Sequence, residues 1–234
     1  MPIRGALAAS NTTLFGGAAD GRVYAFDKDT GLTRWVNQYS SGFSSQPVLS
    51  GSFLYVGSED GALYAIDQAT GRTLWRYRTR GAVRGPAAVD GKVVYFGSGD
   101  GYVYAVGESG KRLRWRMRTG AGVQAVSSVN GGLLVASLDN FVYFLSLTNG
   151  NRIWKHQLPG RISSQPLTAR DAALFTPLTS DSGVVLALRD GRQVNSLPIG
   201  EENNSTGSPI SAGDLVLVTT PHALLAFAPR KDKP

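Results

Sequence analysis

The sequence predicts an all-β propeller of about six four-stranded blades, the last incomplete, from three sets of markers that share one period. Trp35, Trp75, Trp115 and Trp154 stand 40, 40 and 39 residues apart. Asp20, Asp60, Asp100 and Asp139 keep the same step, the first three followed by glycine and the fourth by Asn140. Pro47, Pro86, Pro166 and Pro209 mark a third phase, with Val126 in the vacant slot. Three independent markers on one period define a repeat protein.

Local patterning decides what the repeat is made of. No window carries apolar residues at i, i+3, i+4 and i+7 over three turns, so helical arrays are excluded. In the second repeat, "QPVL" (46–49) reads as the first strand, and its proline belongs at an edge or a strand's first residue because it cannot donate to a central ladder. "FLYVGS" (53–58) and "ALYAID" (62–67) follow as short β-branched and aromatic strands. Asp60-Gly61 between them signals a type I′ hairpin. "TLWRYR" (73–78) is the fourth strand. Blades start near residues 3, 43, 83, 123, 162 and 205 of a single 1–234 domain. The fifth is eroded, because "ALRDGRQVNSL" (187–197) has no tryptophan. The sixth ends after its third strand, "LLAFAP" (224–229), which leaves an exposed edge near Leu224–Phe227 and an imperfect closure.

Composition agrees with a turn-rich β protein: 29 glycines and 42% hydrophobic residues in 234. No cysteine is present, which excludes a disulfide framework, a thiol nucleophile and a cysteine metal site. No apolar run reaches the length of a membrane-spanning helix. "MPIRGALAASNTTLF" reads as the inside of a domain, not as a signal segment.

"AFDKDTGLTRW" (25–35) and "AIDQATGRTLW" (65–75) resemble the tryptophan-docking motif A-x-D-x-x-T-G-x-x-x-W of pyrroloquinoline-quinone (PQQ) type β-propellers. "AVGESGKRLRW" (105–115) and "FLSLTNGNRIW" (144–154) are weaker copies. The resemblance implies that Trp35, Trp75, Trp115 and Trp154 are structural, each packing on the neighbouring blade, with Gly31, Gly71 and Gly150 as turn partners. Trp115, facing an imperfect motif, is expected to be the most tolerant of replacement. The family holds quinoprotein dehydrogenases, which bind PQQ and calcium, and protein-binding repeat proteins of the envelope similar to the outer-membrane assembly factor BamB. The chain is shorter than either, with no cysteine pair and about six repeats instead of eight, so the resemblance gives architecture and not chemistry; the favoured reading is most similar to the second group. That resemblance implies a non-catalytic scaffold in the periplasm or cell envelope, monomeric, with no cofactor and with protein partners, acidic or membrane-associated. A PQQ- and calcium-dependent dehydrogenase, or a fragment of one, is the competing class, and a sensor or ligand-binding domain of a larger protein is the third.

Several sharper motifs have plainer explanations. "DKDTG" (27–31) begins like a calcium loop but lacks the closing glutamate, having Gln38 there. "GSGDG" (97–101) resembles a phosphate cradle, yet a strand and not a helix N-terminus follows it. His156 and His222 are the only histidines and lie on different repeats. Glu201-Glu202 lies in a polar loop.

Charge is distributed unevenly. Residues 72–118 hold 11 Lys or Arg against 3 Asp or Glu, while the remainder holds 13 against 14, so the +7 excess lies on blades two and three. Arg76, Arg78 and Arg80 alternate along the second blade's outer strand, and Arg112, Arg114, Arg116 and Arg118 along the third's. Period two puts each row on one strand face. The row reads either as a solvated edge that resists aggregation or as a docking surface for acidic protein or anionic lipid. Nucleic acid is not favoured, since no aromatic platform stands among the arginines. Arg84, Gln124 and Gln165 are the candidates for the channel mouth.

Overall fold

The structure is a computed structural model and describes residues 6–162, 164–200 and 207–228. Among these residues every regular element is a strand, arranged as five four-stranded antiparallel sheets and one three-stranded sheet. The sheets are meanders: β1 (Ala8–Ala9), β2 (Thr13–Gly17), β3 (Arg22–Asp27) and β4 (Thr33–Gln38), then β5 (Val48–Ser50), β6 (Phe53–Gly57), β7 (Ala62–Asp67) and β8 (Thr73–Arg78). The third is β9 (Ala88–Asp90), β10 (Val93–Gly97), β11 (Tyr102–Gly107) and β12 (Leu113–Arg118). The fourth is β13 (Val123–Val129), β14 (Gly132–Ser137), β15 (Phe141–Leu145) and β16 (Arg152–Gln157). The fifth is β17 (Leu167–Thr168), β18 (Ala172–Phe175), β19 (Ser182–Ala187) and β20 (Gln193–Pro198). The sixth has β21 (Ile210–Ala212), β22 (Leu215–Thr219) and β23 (Leu224–Phe227), with β23 at its edge and Leu224 62% exposed. The expected blade starts at 3 and 205 lie outside the described residues.

The chain divides into two compact units, residues 1–128 and 129–234. In the first, the core lies between successive sheets. Leu54, Val56, Tyr64 and Ile66 of the second sheet pack with Phe15, Val23 and Ala25 of the first. Tyr55, Leu63 and Ala65 pack instead with Val94, Phe96, Tyr104 and Val106 of the third. Both faces of the middle strands are therefore buried, which is why they read as continuous apolar runs. In the second unit Leu133, Leu134, Leu145, Phe175 and Leu186 are buried in the same middle-strand positions.

Proline precedes a short first strand in the second, third and fifth sheets, although β1 is as short without one. Strands that follow Pro47, Pro86 and Pro166 span only 3, 3 and 2 residues. Where Val126 replaces proline, β13 runs unbroken for 7 residues. A proline's missing N–H prevents the ladder from extending through it.

The turns between second and third strands differ from the type I′ expectation. Gly61 N–H donates to the Ser58 carbonyl, and only Gly61 has positive φ (+83°), so Asp60 stays in the ordinary region. The loop is a four-residue turn closed by a left-handed glycine, not a two-residue I′ turn with two positive φ values. The aspartate fixes it: Asp60 Oδ1 accepts from Ala62 N–H at 3.0 Å and Oδ2 from Tyr64 Oη at 2.6 Å. Asp100 and Asp139 repeat both bonds with Tyr104 and Tyr143. In the fourth sheet the left-handed position falls to Asn140, whose φ of +67° makes it the one non-glycine of its kind among the described residues.

Consecutive sheets approach closely at a second glycine. A Cβ on Gly57 would run into the Val83 carbonyl and side chain, and one on Gly97 into the Val123 side chain. Phe43 occupies the same place against Gly17. These residues bond back as well: Val83 N–H donates to Ser58 O and Val123 N–H to Ser98 O, both at 3.0 Å.

Two substitutions separate these requirements. Gly57→Ala is expected to cost about 1–3 kcal/mol by overpacking the joint. At Asn140 the order of stability should be Gly at least equal to Asn, with Ala lower by about 1 kcal/mol, because Ala tolerates positive φ worst. Urea denaturation of the three proteins checks both, and a neutral Gly57→Ala would contradict the close approach.

Candidate functional site

The outer strands present two chemically different faces. Along β8, Trp75 and Tyr77 are partly buried while Leu74, Arg76 and Arg78 are exposed, and along β12 Trp115 is buried while Arg114, Arg116 and Arg118 are exposed. The inward face carries the tryptophans. The Trp35 ring lies against Gly71, whose Cβ would come within 2.8 Å of it, and Nε1 donates to Gln68 O at 2.9 Å. Trp75 covers Gly110 and donates to Glu108 O at 2.8 Å. Trp154 covers Gly191 and donates to Leu188 O at 2.8 Å. Each also leans on a ring of its own sheet, Phe15, Tyr55 or Phe144, and Trp115 on Tyr95.

Three sequence expectations need adjusting. Gly31 has the turn's backbone (φ +71°), but a Cβ there would meet nothing within 4 Å, so among the described residues it is no docking partner. Gly110 and Gly191, which sequence reasoning passed over, take that role, while Gly150 keeps the left-handed turn with φ +73°. Trp115 is 8% exposed and the most buried of the four, so its imperfect motif does not make it the loosest.

The calcium-like and phosphate-like loops are filled by the chain itself. Asp27 Oδ1 accepts from Thr30 N–H and Oγ1 at 2.9 and 2.8 Å, and Oδ2 from Arg34 at 2.7 Å. The Arg34 guanidinium first, and then Thr30, hold its carboxyl well below the usual range. In the 97–101 turn, Gly99 N–H is taken by Ala82 O and Gly101 N–H by Ser98 O. His156 lies on β16 and His222 in an exposed turn, and no group of three potential metal ligands occurs among the described residues. Glu201-Glu202 lies outside them.

The arginines are brought together in part. A cavity of about 490 Å³ in the first unit is lined by Arg78 and Arg80 after β8 and by Arg116 and Arg118 of β12. Tyr77, Tyr102, Tyr104 and Asp100 complete the lining. The Arg116 guanidinium sits 5.0 Å above the Tyr102 ring. Asp100 is the cavity's carboxylate, and its hydrogen bonds come from uncharged donors: Tyr102 N–H, Tyr104 Oη and the Arg80 backbone N–H, at 3.1, 2.8 and 3.0 Å. Burial, and then this carboxylate, push the Tyr104 phenol upward. Arg76 stands apart, paired in register with Tyr64, while Arg112 and Arg114 do not line the cavity.

The channel-mouth candidates behave differently. Arg84 is engaged, its Nη2 at 2.7 Å from Glu59 Oε2. Burial opposes ionisation of Glu59, yet Arg84 and Ser44 together bring its carboxyl below the ordinary range. Gln124 and Gln165 are half-buried, and Gln165 N–H donates to Ser208 Oγ at 2.9 Å.

Antiparallel four-stranded sheets repeated at this period, joined by tryptophan and glycine contacts, define a β-propeller of PQQ-like repeats. Comparison carries this to a family: the profile described as outer membrane protein assembly factor BamB matches residues 1–87 and 80–231, and the chain belongs to that family. Among solved structures it is similar to BamB from Moraxella catarrhalis, with TM-score 0.80 and 16% identity over 97% of this chain and 73% of that one. The computationally designed Ika8 protein gives TM-score 0.82 at 16% identity over 96% and 70%. No curated protein matches the sequence. Likeness at this identity, shared by a designed protein, shows the fold alone.

The tryptophan contact can be tested by coupling. Gly110→Ala should destabilise by about 3 kcal/mol or more, since a Cβ cannot coexist with the Trp75 ring, whereas Gly31→Ala should lose only the roughly 1 kcal/mol of left-handed strain. In a Trp75→Ala background the cost of Gly110→Ala should fall to that of Gly31→Ala, giving a coupling of about 2 kcal/mol or more. Additive effects in this double-mutant cycle would mean that the ring does not rest on the glycine.

Proposed function

We propose that the chain is a non-catalytic scaffold of the cell envelope, BamB-like in binding protein partners and in serving outer-membrane protein assembly. The observation that carries the reading is the exposed arginine face of β8 and β12, which no carboxylate among the described residues neutralises at ion-pair distance. Arg22, Arg34, Arg84 and Arg192 each have an acidic neighbour, whereas Arg152, Lys155 and Arg170 also lack an ion pair among the described residues; what sets the β8 and β12 face apart is the number of such cations side by side. An unneutralised row held on a rigid strand suits capture of an acidic partner, because guanidinium forks bind carboxylates bidentately. Membership of the assembly-factor family supports envelope location and protein partners, and no PQQ or calcium role is assigned.

The test is charge reversal. Arg114→Glu with Arg116→Glu should weaken capture of native envelope partners most at low salt, where charges steer over a longer range, and leave the melting temperature nearly unchanged. Identical capture by variant and wild type would reduce the face to a solvated edge and move attention to Arg84, Gln124 and Gln165. A quinone absorbance and dehydrogenase activity after addition of PQQ and calcium would overturn the non-catalytic reading.

A further inference from the structure

We infer that the cavity lined by Arg78, Arg80, Arg116 and Arg118 is a binding site for an extended acidic peptide segment, one with Glu or Asp at alternate positions. The inference rests on the protein-binding reading above and specifies where and what that binding recognises.

The first support is charge balance. Four guanidinium groups line the cavity against the single carboxylate of Asp100. That carboxylate is occupied by the Tyr102 and Arg80 backbone N–H groups and by the Tyr104 hydroxyl, and none of the four guanidiniums lies within ion-pair distance of it. Four cations that the fold gathers and does not neutralise repel one another, and an anionic ligand relieves that repulsion.

The second support is spacing. Arg116 and Arg118 are alternate residues of a regular strand, and Arg78 and Arg80 are two positions apart at the strand's exit. Alternate strand side chains are about 6.8 Å apart, the repeat of alternate side chains in any extended peptide. Carboxylates at every second residue of a ligand therefore meet successive guanidiniums in register, and each pair can form the two-pronged hydrogen bond. In a block of adjacent acidic residues only every second carboxylate faces the row, so a peptide of equal composition brings half as many to the guanidiniums.

The third concerns competitors. A nucleic-acid strand draws its sequence-independent affinity from bases stacked on open aromatic rings as well as from phosphate contacts. The Tyr102 ring is covered by the Arg116 guanidinium, and the Tyr104 hydroxyl is committed to Asp100. Tyr102 thus holds Arg116 and Tyr104 holds the acid, while Tyr77 packs on Phe96 and Tyr104, so the rings are committed within the protein.

The experiment uses the full chain and a fluorescein-labelled peptide of alternating Ser and Glu, read by anisotropy at low salt. The comparison ligands are a Ser/Glu peptide of equal composition with its glutamates in one block, inorganic polyphosphate and an oligo-dT strand. The alternating peptide should bind at least several-fold more tightly than the block peptide, and Arg116→Ala with Arg118→Ala should weaken it by roughly tenfold. Arg152→Glu, on the corresponding strand of the fourth sheet, should leave it unchanged. Should the double variant fold poorly, Arg116→Glu with Arg118→Glu offers a gain-of-function test: it should acquire affinity for an alternating Ser-Lys peptide that the wild type lacks. Equal or tighter binding of block peptide, polyphosphate or oligo-dT would overturn the proposal, as would an unaffected double variant. Failure here is distinguishable from failure of the scaffold reading. Native partners still captured by an Arg116→Ala, Arg118→Ala protein would leave the scaffold standing and remove this cavity as its partner site. Register-specific peptide binding with no native partner captured would do the reverse.

Discussion

The structure depends on how each sheet is held to the next. Both faces of the second sheet's middle strands are apolar and buried against its neighbours, so the sheet has to be covered on both sides. Two contacts supply the joint in the first unit. Near one end, Val83 and Val123 fill the space that Gly57 and Gly97 leave by having no side chain. On the outer strand, Trp35 and Trp75 lie on the left-handed Gly71 and Gly110 of the next sheet and donate to its turn carbonyls. Glycine is required for different reasons at the two places: empty space at the first, and both space and positive φ at the second.

The arginine rows follow from the same joint. Strand side chains alternate, so committing Trp75, Tyr77, Trp115 and Met117 to one face leaves positions 76, 78, 114, 116 and 118 on the other. Their exposure is a by-product of how the tryptophans dock, but their chemistry is not. On β16, built on the same plan, the equivalent positions are Ile153, Lys155 and Gln157, with one cation among three. Gathering charge against Asp100, which has no cationic side-chain partner, adds nothing obvious to stability, since exposed like charges repel. The docking contacts therefore account for where these side chains point but not for their being arginine.

What the sequence made legible were features that a single residue imposes on its own backbone. Proline precedes a first strand, aspartate followed by glycine marks a turn, and tryptophan at a fixed step marks an outer strand, all read locally. The details that were missed depend on residues far apart. Gly110 stands in a degenerate motif, and only the Trp75 ring, 35 residues away in the chain, reveals its role. The turn type was misread because Asp60-Gly61 fits two loops, distinguished by the φ of Asp60 alone. The arginine cavity was legible as alternation and charge but not as a cavity, because it joins two segments about one repeat apart.

The fifth and sixth sheets show what happens when half of the joint is absent. In the first four sheets a tryptophan of the outer strand pairs with Ala25, Ala65, Ala105 or Phe144. In the fifth, Asn195 holds that place opposite Val185. Asn195 cannot supply a tryptophan's contact, and the sixth sheet, the last of the described ones, leaves several hydrophobic residues exposed. Ile210, Leu215 and Leu224 are exposed, and Val218 is its one buried hydrophobic residue among those described. Gly191 of the fifth sheet still receives Trp154, while the fifth sheet sends no tryptophan to its successor, which it meets through Gln165 N–H on Ser208 Oγ. A degenerate motif that keeps its glycine and loses its tryptophan thus still accepts the contact from the preceding sheet and no longer passes one on.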